Sequence, residues 1–430
     1  MRNSGYRVIA LTAAIGAAAA VLALTTHRDS ATDVAPAPVA PVAPAGTGVA
    51  DPSSTPATTA GAAMSGATPS WPAGSIVITG SNGDGVTVLD PTGAARQDIH
   101  WTDPVTVLVP AAGTAHAGSI QLADQTTGQV AAADPAGGTT AQSTIGGSPI
   151  RGAAAGDGTP REGHTIWLDA ASGSAVILDP TGAVQSVVKV GSNPAQVIIA
   201  PAGTPRAGTA YVLSQGNGQV EKGSVTVIPP TGQPQQITTA VNPTAMAIAP
   251  PGTPAAGTIY VAGTGDGTLT IIDPTDNSTS QLTGFTQPSV LLAAPTGTPA
   301  AGTLYLVDGA AIQILDAHGR PIRTITDDHS PTDLAVVPAG TLLAGTVYVG
   351  HAAGADLTAI TADTFTVSSI RAGTRPSRLA VAPAGTPTAG TLYTTNFVDN
   401  TISVVPPGHT TGDAIPVADH PGTIQIVPTA

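Results

Sequence analysis

Cysteine is absent from all 430 residues, which excludes disulfides, thiolate metal sites and a cysteine nucleophile together. Aromatic side chains are scarce as well: three Phe, three Trp and six Tyr leave too few rings for a base-stacking nucleic-acid surface. Lys and Arg number 14 against 27 Asp and Glu, and the resulting net charge of −13 lacks the basic footprint that a phosphate polymer needs. Nucleic acid is therefore not an expected partner. Charge of either sign is thin, at 10%, while 41% of residues are hydrophobic, the reverse of an unfolded chain. Small residues fill the space: 51 Gly and 40 Pro interrupt nearly every stretch of ten, so helical windows are missing beyond the N-terminal segment.

That segment reads as a targeting signal. Arg2 and Arg7 precede an uncharged apolar run from Val8 to Leu24, the order expected of an export signal. Its length lies between a signal-peptide core and a minimal membrane span, so residues 1–27 are expected to be a cleaved signal peptide or an uncleaved anchor helix. Either reading puts the body of the protein outside the cytoplasm, secreted to the cell envelope or in contact with a membrane through this segment. Residues 28–70 are rich in Pro, Ala and Thr, and prolines at every second or third place from Pro36 to Pro44 remove backbone donors. In polyproline II geometry, at about 3.1 Å per residue, such a linker would span at most roughly 120 Å.

Residues 71–430 are built from a repeat. The string Gly-Thr-Pro-x-Ala-Gly-Thr-x-Tyr runs from Gly203 to Tyr211, Gly252 to Tyr260, Gly297 to Tyr305 and Gly385 to Tyr393. Diverged copies place the second glycine at Gly118, Gly163 and Gly345, and successive spacings along the series are 45, 45, 49, 45, 43 and 45 residues. Stepping back from Gly118 reaches Gly74, which makes eight units. Each unit reads as four short strands punctuated by turn residues, as in Thr258–Val261, Thr268–Ile272, Ser278–Leu282 and Val290–Ala293. The expected fold is all-β, an eight-bladed propeller of four-stranded blades, with seven blades as the alternative. The first unit lacks the strand that begins at a proline, and the chain ends with that strand, from Pro421 to Val427. Pairing the two would close the ring without a free edge.

Tyr393-Thr394-Thr395-Asn396 followed by Thr401-Ile402-Ser403-Val404-Val405, Tyr-Val at Tyr211, Tyr260 and Tyr348, and Gly191-Ser192-Asn193-Pro194 carry a family resemblance. So does Leu379-Ala380-Val381-Ala382-Pro383-Ala384-Gly385. In these residues the chain resembles the YVTN-type β-propeller repeat proteins, allied to the quinoprotein amine dehydrogenase-like propellers. The resemblance spans Pro72 to Ala430 and departs in the Gly-Thr-Pro-x-Ala-Gly insertion. It implies a propeller at the cell surface and no single activity.

In such a ring the strands that start at prolines lie innermost, and the residues before those prolines gather round one mouth of the channel. Asp103, Arg375 and His420 belong to that set, with Ser148, Asn193, Asn242, Gln287 and Ser330, and His329 lies beside it. Alternation sends Thr106, Arg151, Gln196, Asp333, Arg378, Thr423 and Gln425 towards the axis. Asp333 and Arg378, at equivalent places in neighbouring blades, are expected to pair. Asp103, Arg151, His329, Asp333, Arg375, Arg378 and His420 form the expected ligand-binding set, since convergent polar groups in a concavity are the usual mark of a site. A second group of loops at the same face, bearing Asn82, Asp84, Asp124, Asp169, Asp266, Asp308, His351, Asp356, Asn396 and Asp399, offers an acidic surface. Its Gly-Asp-Gly segments read as hairpin turns and lack calcium-loop spacing.

Tests for catalysis fail on sequence. No His pair has metal-ligand spacing, no Gly-x-Ser-x-Gly elbow occurs, and no P-loop is present. No cofactor, metal or catalytic residue is assigned. The expected function is a binding or interaction module, monomeric, whose partner is a small ligand or an envelope protein. The alternative is a propeller enzyme, lactonase-like or quinoprotein-like, with its site at the channel mouth.

Overall fold

The computed structural model describes residues 70–430, apart from 81–84, 100–104, 137, 141–142, 218–220 and 418–419. The targeting segment expected at 1–27 and, but for Ser70, the linker expected at 28–70 lie outside the described residues, as does Asp103. Among the described residues no helix is long and apolar enough to cross a membrane.

The described strands form eight antiparallel sheets. In blades 3 to 8 the inner strands are Pro149–Ala154, Pro194–Ile199, Pro243–Ile248, Pro288–Ala293, Pro331–Val336 and Pro376–Val381. Proline suits these first positions because it donates nothing to the ladder there. The expected count of eight holds. So does the closure: Pro421–Ile426 pairs with Ile76–Gly80, Ile76 opposite Ile426 and Ile78 opposite Ile424, which completes blade 1 from both ends of the ring. Blade 2 is the irregular one. Its outer strand is split into Gly138–Thr139 and Ser143–Thr144, both paired with Gln129–Asp134.

A four-stranded sheet cannot bury two faces alone, and here each junction between neighbouring blades holds its own apolar cluster. Between blades 4 and 5, for example, Tyr211, Leu213 and Val225 meet Met246, Ile259 and Val261. The tyrosines of the repeat sit in these junctions, with Tyr211, Tyr260, Tyr305 and Tyr393 fully buried. The junction of blades 2 and 3 is the smallest, with Ala123 and Val130 against Trp167, Val176 and Leu178. Trp167 lies flat on the inner strand at Gly152, where an added Cβ would come within 2.9 Å of the indole.

The inserted loop that sets this chain apart has a structural role. Five copies turn back through a threonine hydroxyl that donates to the proline carbonyl three residues earlier: Thr204 to Pro201, Thr253 to Pro250, Thr298 to Pro295, Thr341 to Pro338 and Thr386 to Pro383, at 2.7–2.8 Å; in two diverged copies the acceptors are Ala111 and Gly156. The closing glycine of one loop then lies against the Thr-Pro of the loop before it. Gly257 has φ 85°, and a Cβ there would stand 3.0 Å from Pro205 and 3.3 Å from Thr204. Gly302 meets Thr253 and Gly390 meets Thr341 in the same way. The loops form a continuous belt round the face opposite the proline ends of the inner strands.

Candidate functional site at the mouth and hub

The residues before the inner-strand prolines stand at one mouth, and their backbone is unusual. Asn193, Asn242, Ser330, Arg375 and His420 have φ of 54°, 47°, 58°, 57° and 50°. Asparagine and histidine tolerate this left-handed region, whereas arginine adopts it at a cost of roughly 1 kcal/mol or more. The mouth therefore holds Arg375 at a cost, as the chain also does with Leu343 and Phe365 elsewhere.

These two side chains meet over a third residue that sequence reasoning missed. The Arg375 guanidinium lies 5.5 Å from the centre of the Phe397 ring. The His420 ring lies 4.8 Å from the same ring, tilted by 59°. Arg375 is anchored by its Nε, which donates to the Ala352 carbonyl at 2.9 Å, and His420 by its amide, which donates to Asn400 at 2.8 Å. Only the isolated position of Phe397 among so few aromatics hinted at it.

His329 joins a different group, in blade 7. The buried carboxylate of Asp327 accepts from His351 Nε2 and from Thr358 Oγ1, each at 2.9 Å. His351 Nδ1 faces the Asp356 carbonyl at 2.7 Å, so both ring nitrogens point at acceptors and the ring is an imidazolium. Burial alone would depress His351, but the hydrogen bond to Asp327 and the carbonyl of Asp356 outweigh it and raise its pKa. Burial likewise opposes ionisation of Asp327, yet the His351 hydrogen bond and charge bring its pKa down to about 2. The exposed His329 ring stacks at 5.5 Å on His351, with Nδ1 at 3.4 Å from both Asp327 and Asp328.

This pair replaces a device used elsewhere in the ring. At the end of the second strand, Asp169 accepts the amide of Ser148, Asp308 the amides of Thr286 and Gln287, and Asn396 the amide of Gly373. Asp266 and Asp399 likewise accept the amides of Val241 and Thr374. These acids clamp the loop ahead of the inner strand, so the loops expected to offer an acidic surface spend much of that charge on backbone. Asn82 and Asp84 lie outside the described residues. In blade 7 the strand-end position is His351, and the carboxylate has moved onto the loop as Asp327.

Deeper in, alternation from the proline does not hold. In blades 4 to 8 the register shifts between the proline and the residue two places on, a bulge that turns the following side chains sideways. Gln196 therefore bonds both the amide and the carbonyl of Met246 in the next blade, at 2.8 and 2.9 Å. Gln425 does the same to Val109 and Val107 across the closure, and Thr106 donates to the Pro149 carbonyl. Thr423 bonds Thr79 within blade 1. These side chains stitch inner strands together and do not project freely to the axis.

Asp333 follows the same pattern, and the expected pair with Arg378 does not form. Its two oxygens accept the amides of Leu334 and Leu379, each at 3.0 Å, and no guanidinium nitrogen comes within 4.0 Å of them. Burial pushes its carboxyl up to about 6, against the pull of Arg378, the two amides and Arg151. Arg151 comes from blade 3, on the opposite side of the ring from Asp333 in blade 7, and Arg378 from blade 8. Burial lowers both arginines; the nearby Arg378 charge lowers Arg151 further, to about 10. Arg151, Asp333 and Arg378 are thus close enough at the hub for each to feel the others, although none forms a direct ion pair. Among the described residues no three His, Asp or Glu side chains converge as a metal-ligand set.

An eight-bladed propeller with a charged hub is the class that these observations define. No protein-family model and no curated protein sequence matches the chain. Solved structures do share its fold. One is the dihydro-heme d1 dehydrogenase NirN in complex with DHE, at a TM-score of 0.63 and 13% identity, covering 84% of this chain and 78% of that one. Another is apo AztD from Citrobacter koseri, at a TM-score of 0.56 and 16% identity, covering 82% and 96%. Such identities establish a common fold and no common chemistry.

Proposed function

We propose that the protein is an extracytoplasmic binding propeller of YVTN type, tethered or secreted through its N-terminal segment, whose ligand enters at the Arg375–Phe397–His420 mouth. One observation carries the reading: Arg375 and His420 converge on Phe397 at the mouth, in left-handed backbone that blades 4 and 5 fill with asparagine and blade 7 with serine. Backbone held at a cost, with polar groups and a ring converging beside a hub, is the physical signature of a site. Catalysis through His351 is disfavoured, because both of its ring nitrogens are engaged, at Asp327 and at the Asp356 carbonyl, which leaves His420 as the histidine that the enzyme alternative would need.

The test is a thermal-shift screen of small metabolites against the full chain, repeated on R375N and H420N. Compounds that raise the melting temperature of the wild type and not of the variants support the reading. A compound turned over to product, with activity lost in H420N, would replace it with the enzyme alternative. Fractionation of the expressing cell with a C-terminal tag tests the location, and recovery in the cytosol would remove that part of the proposal.

A further inference from the structure

We infer that the hub just inside the mouth is a seat for a small oxyanion, a carboxylate or an inorganic anion such as sulfate, gripped between the guanidinium groups of Arg151 and Arg378. This rests on the binding reading and names the chemistry of its ligand.

The first argument is an imbalance of charge. Two arginines act on one carboxylate at the hub without pairing with it, and Asp333 has both oxygens committed to the amides of Leu334 and Leu379. Two partly buried cations therefore share the hub with no counter-ion in contact. Holding charge in a low-dielectric space is costly: burial lowers the pKa of both arginines, and the charge of Arg378 lowers Arg151 further.

The second argument is unmet hydrogen bonding. Arg151 Nε and Arg378 Nη1 are shut off from water and have no partner. Arg206, by contrast, spends a donor on the Thr275 carbonyl at 2.8 Å, while Arg161, which bonds the Pro229 carbonyl, also keeps an unpartnered Nε. A buried donor left open is expensive, and the planar fork of arginine matches two oxygens of one anion. An oxyanion between the two groups would supply the missing acceptors and the missing charge in one step.

The approach is consistent with that occupant. Arg375 and His420 stand just outside, on the loops before the inner strands of blades 8 and 1, while the nearest rim acids are tied up, Asp327 by His351 and Asp399 by the Thr374 amide. With a net charge of −13 outside and its cations recessed within a ring, the protein favours a small anion over a polymer. Asp333 sets the pH response. The groups that act on it are Arg378, the amides of Leu379 and Leu334, and Arg151, and its carboxyl protonates near 6. An incoming anion is repelled by the charged form, so binding tightens as the pH falls through that range.

The experiment is calorimetric titration of the full chain with sodium sulfate and, separately, sodium succinate, each against sodium chloride at matched ionic strength, at about pH 5 and about pH 7.5. The expected result is saturable binding of at least one probe, and which one binds separates an inorganic from a carboxylate ligand. R151Q and R378Q should each weaken it about tenfold or more, as expected when a charge-assisted hydrogen bond is lost. D333N should abolish the difference between the two pH values. R151M/R378M should keep its fold by circular dichroism, lose anion binding, and melt no lower than the wild type, because it removes buried like charges. A melting point well below wild type would show instead that the arginines are structural. Heat indistinguishable from the chloride control for both probes, or R378Q binding like the wild type, would overturn the inference. A neutral compound from the thermal-shift screen that depends on Arg375 and His420 would leave the binding reading standing while the oxyanion seat falls.

Discussion

The two faces of the ring are built on opposite terms. On the belt face five blades contribute the same loop, with the same threonine-to-proline hydrogen bond, and the closing glycines press on the neighbouring loop. On the mouth face the blades diverge: Asp169, Asp308 and Asn396 clamp amides where blade 7 has His351, and Arg375 and His420 stand where blades 4 and 5 have asparagine and blades 3, 6 and 7 have Ser148, Gln287 and Ser330. Uniformity on one face is what sheet packing requires, because each blade meets the same kind of neighbour. On the other face the departures lie on loops, where no neighbouring blade imposes a common residue and each side chain serves a contact of its own.

The largest effect should come from the mouth side, at the buried ion pair. Asp327→Asn leaves the His351 imidazolium without its counter-charge, and a loss of about 3 kcal/mol is expected in urea unfolding. The pH dependence of that loss follows from the two shifts. The raised pKa of His351 gives stability present in full below about 6.5 and lost as pH rises through its folded value. The lowered pKa of Asp327 gives stability present above about 3.8 and lost as pH falls towards 2. The gap between wild type and D327N should therefore be widest between about pH 4 and 6.5 and shrink on either side. A gap that does not change with pH would mean that the two groups are not ionised together.

The belt should come next. Gly257→Ala forces a side chain into left-handed backbone and against the Thr204-Pro205 loop, and about 2 kcal/mol should be lost. Were G257A as stable as the wild type, the belt would be decoration and the contrast between the faces would dissolve. The smallest effect has the opposite sign. R375N introduces the residue that blades 4 and 5 use at this backbone and should gain roughly 1 kcal/mol while losing ligand, whereas H420N, which replaces a residue that tolerates it, should lose ligand with little change in stability. A gain in stability coupled to a loss of binding is the sharpest form of the comparison. If neither changes, the mouth is an ordinary rim.

The ring itself was legible in the sequence because it rests on residues with strong local meaning. Glycine spacing counted the blades, prolines located the inner strands, and the unpaired last strand predicted the closure. Strand Thr268–Ile272 coincides with its expected limits. The site was legible only as a location. Arg375 and His420 do stand at the mouth, but the bonds that occupy Gln196, Asp333 and Gln425 on neighbouring inner strands were not legible, since they join residues 46 to 318 apart in sequence. The Asp327–His351 pair joins residues 24 apart in sequence across a loop, and no periodic pattern announces such a contact. Phe397 acquires its place only when three neighbouring loops are assembled.

The closure of blade 1 by Pro421–Ile426 against Ile76–Gly80 means that the beginning and end of the folded chain are neighbours within one sheet. Topologically the molecule is a necklace whose clasp can be moved. A circular permutant joined by a short linker at that point and reopened at another hairpin would keep every hydrogen-bonded neighbour, so any difference in its unfolding would report on the clasp alone.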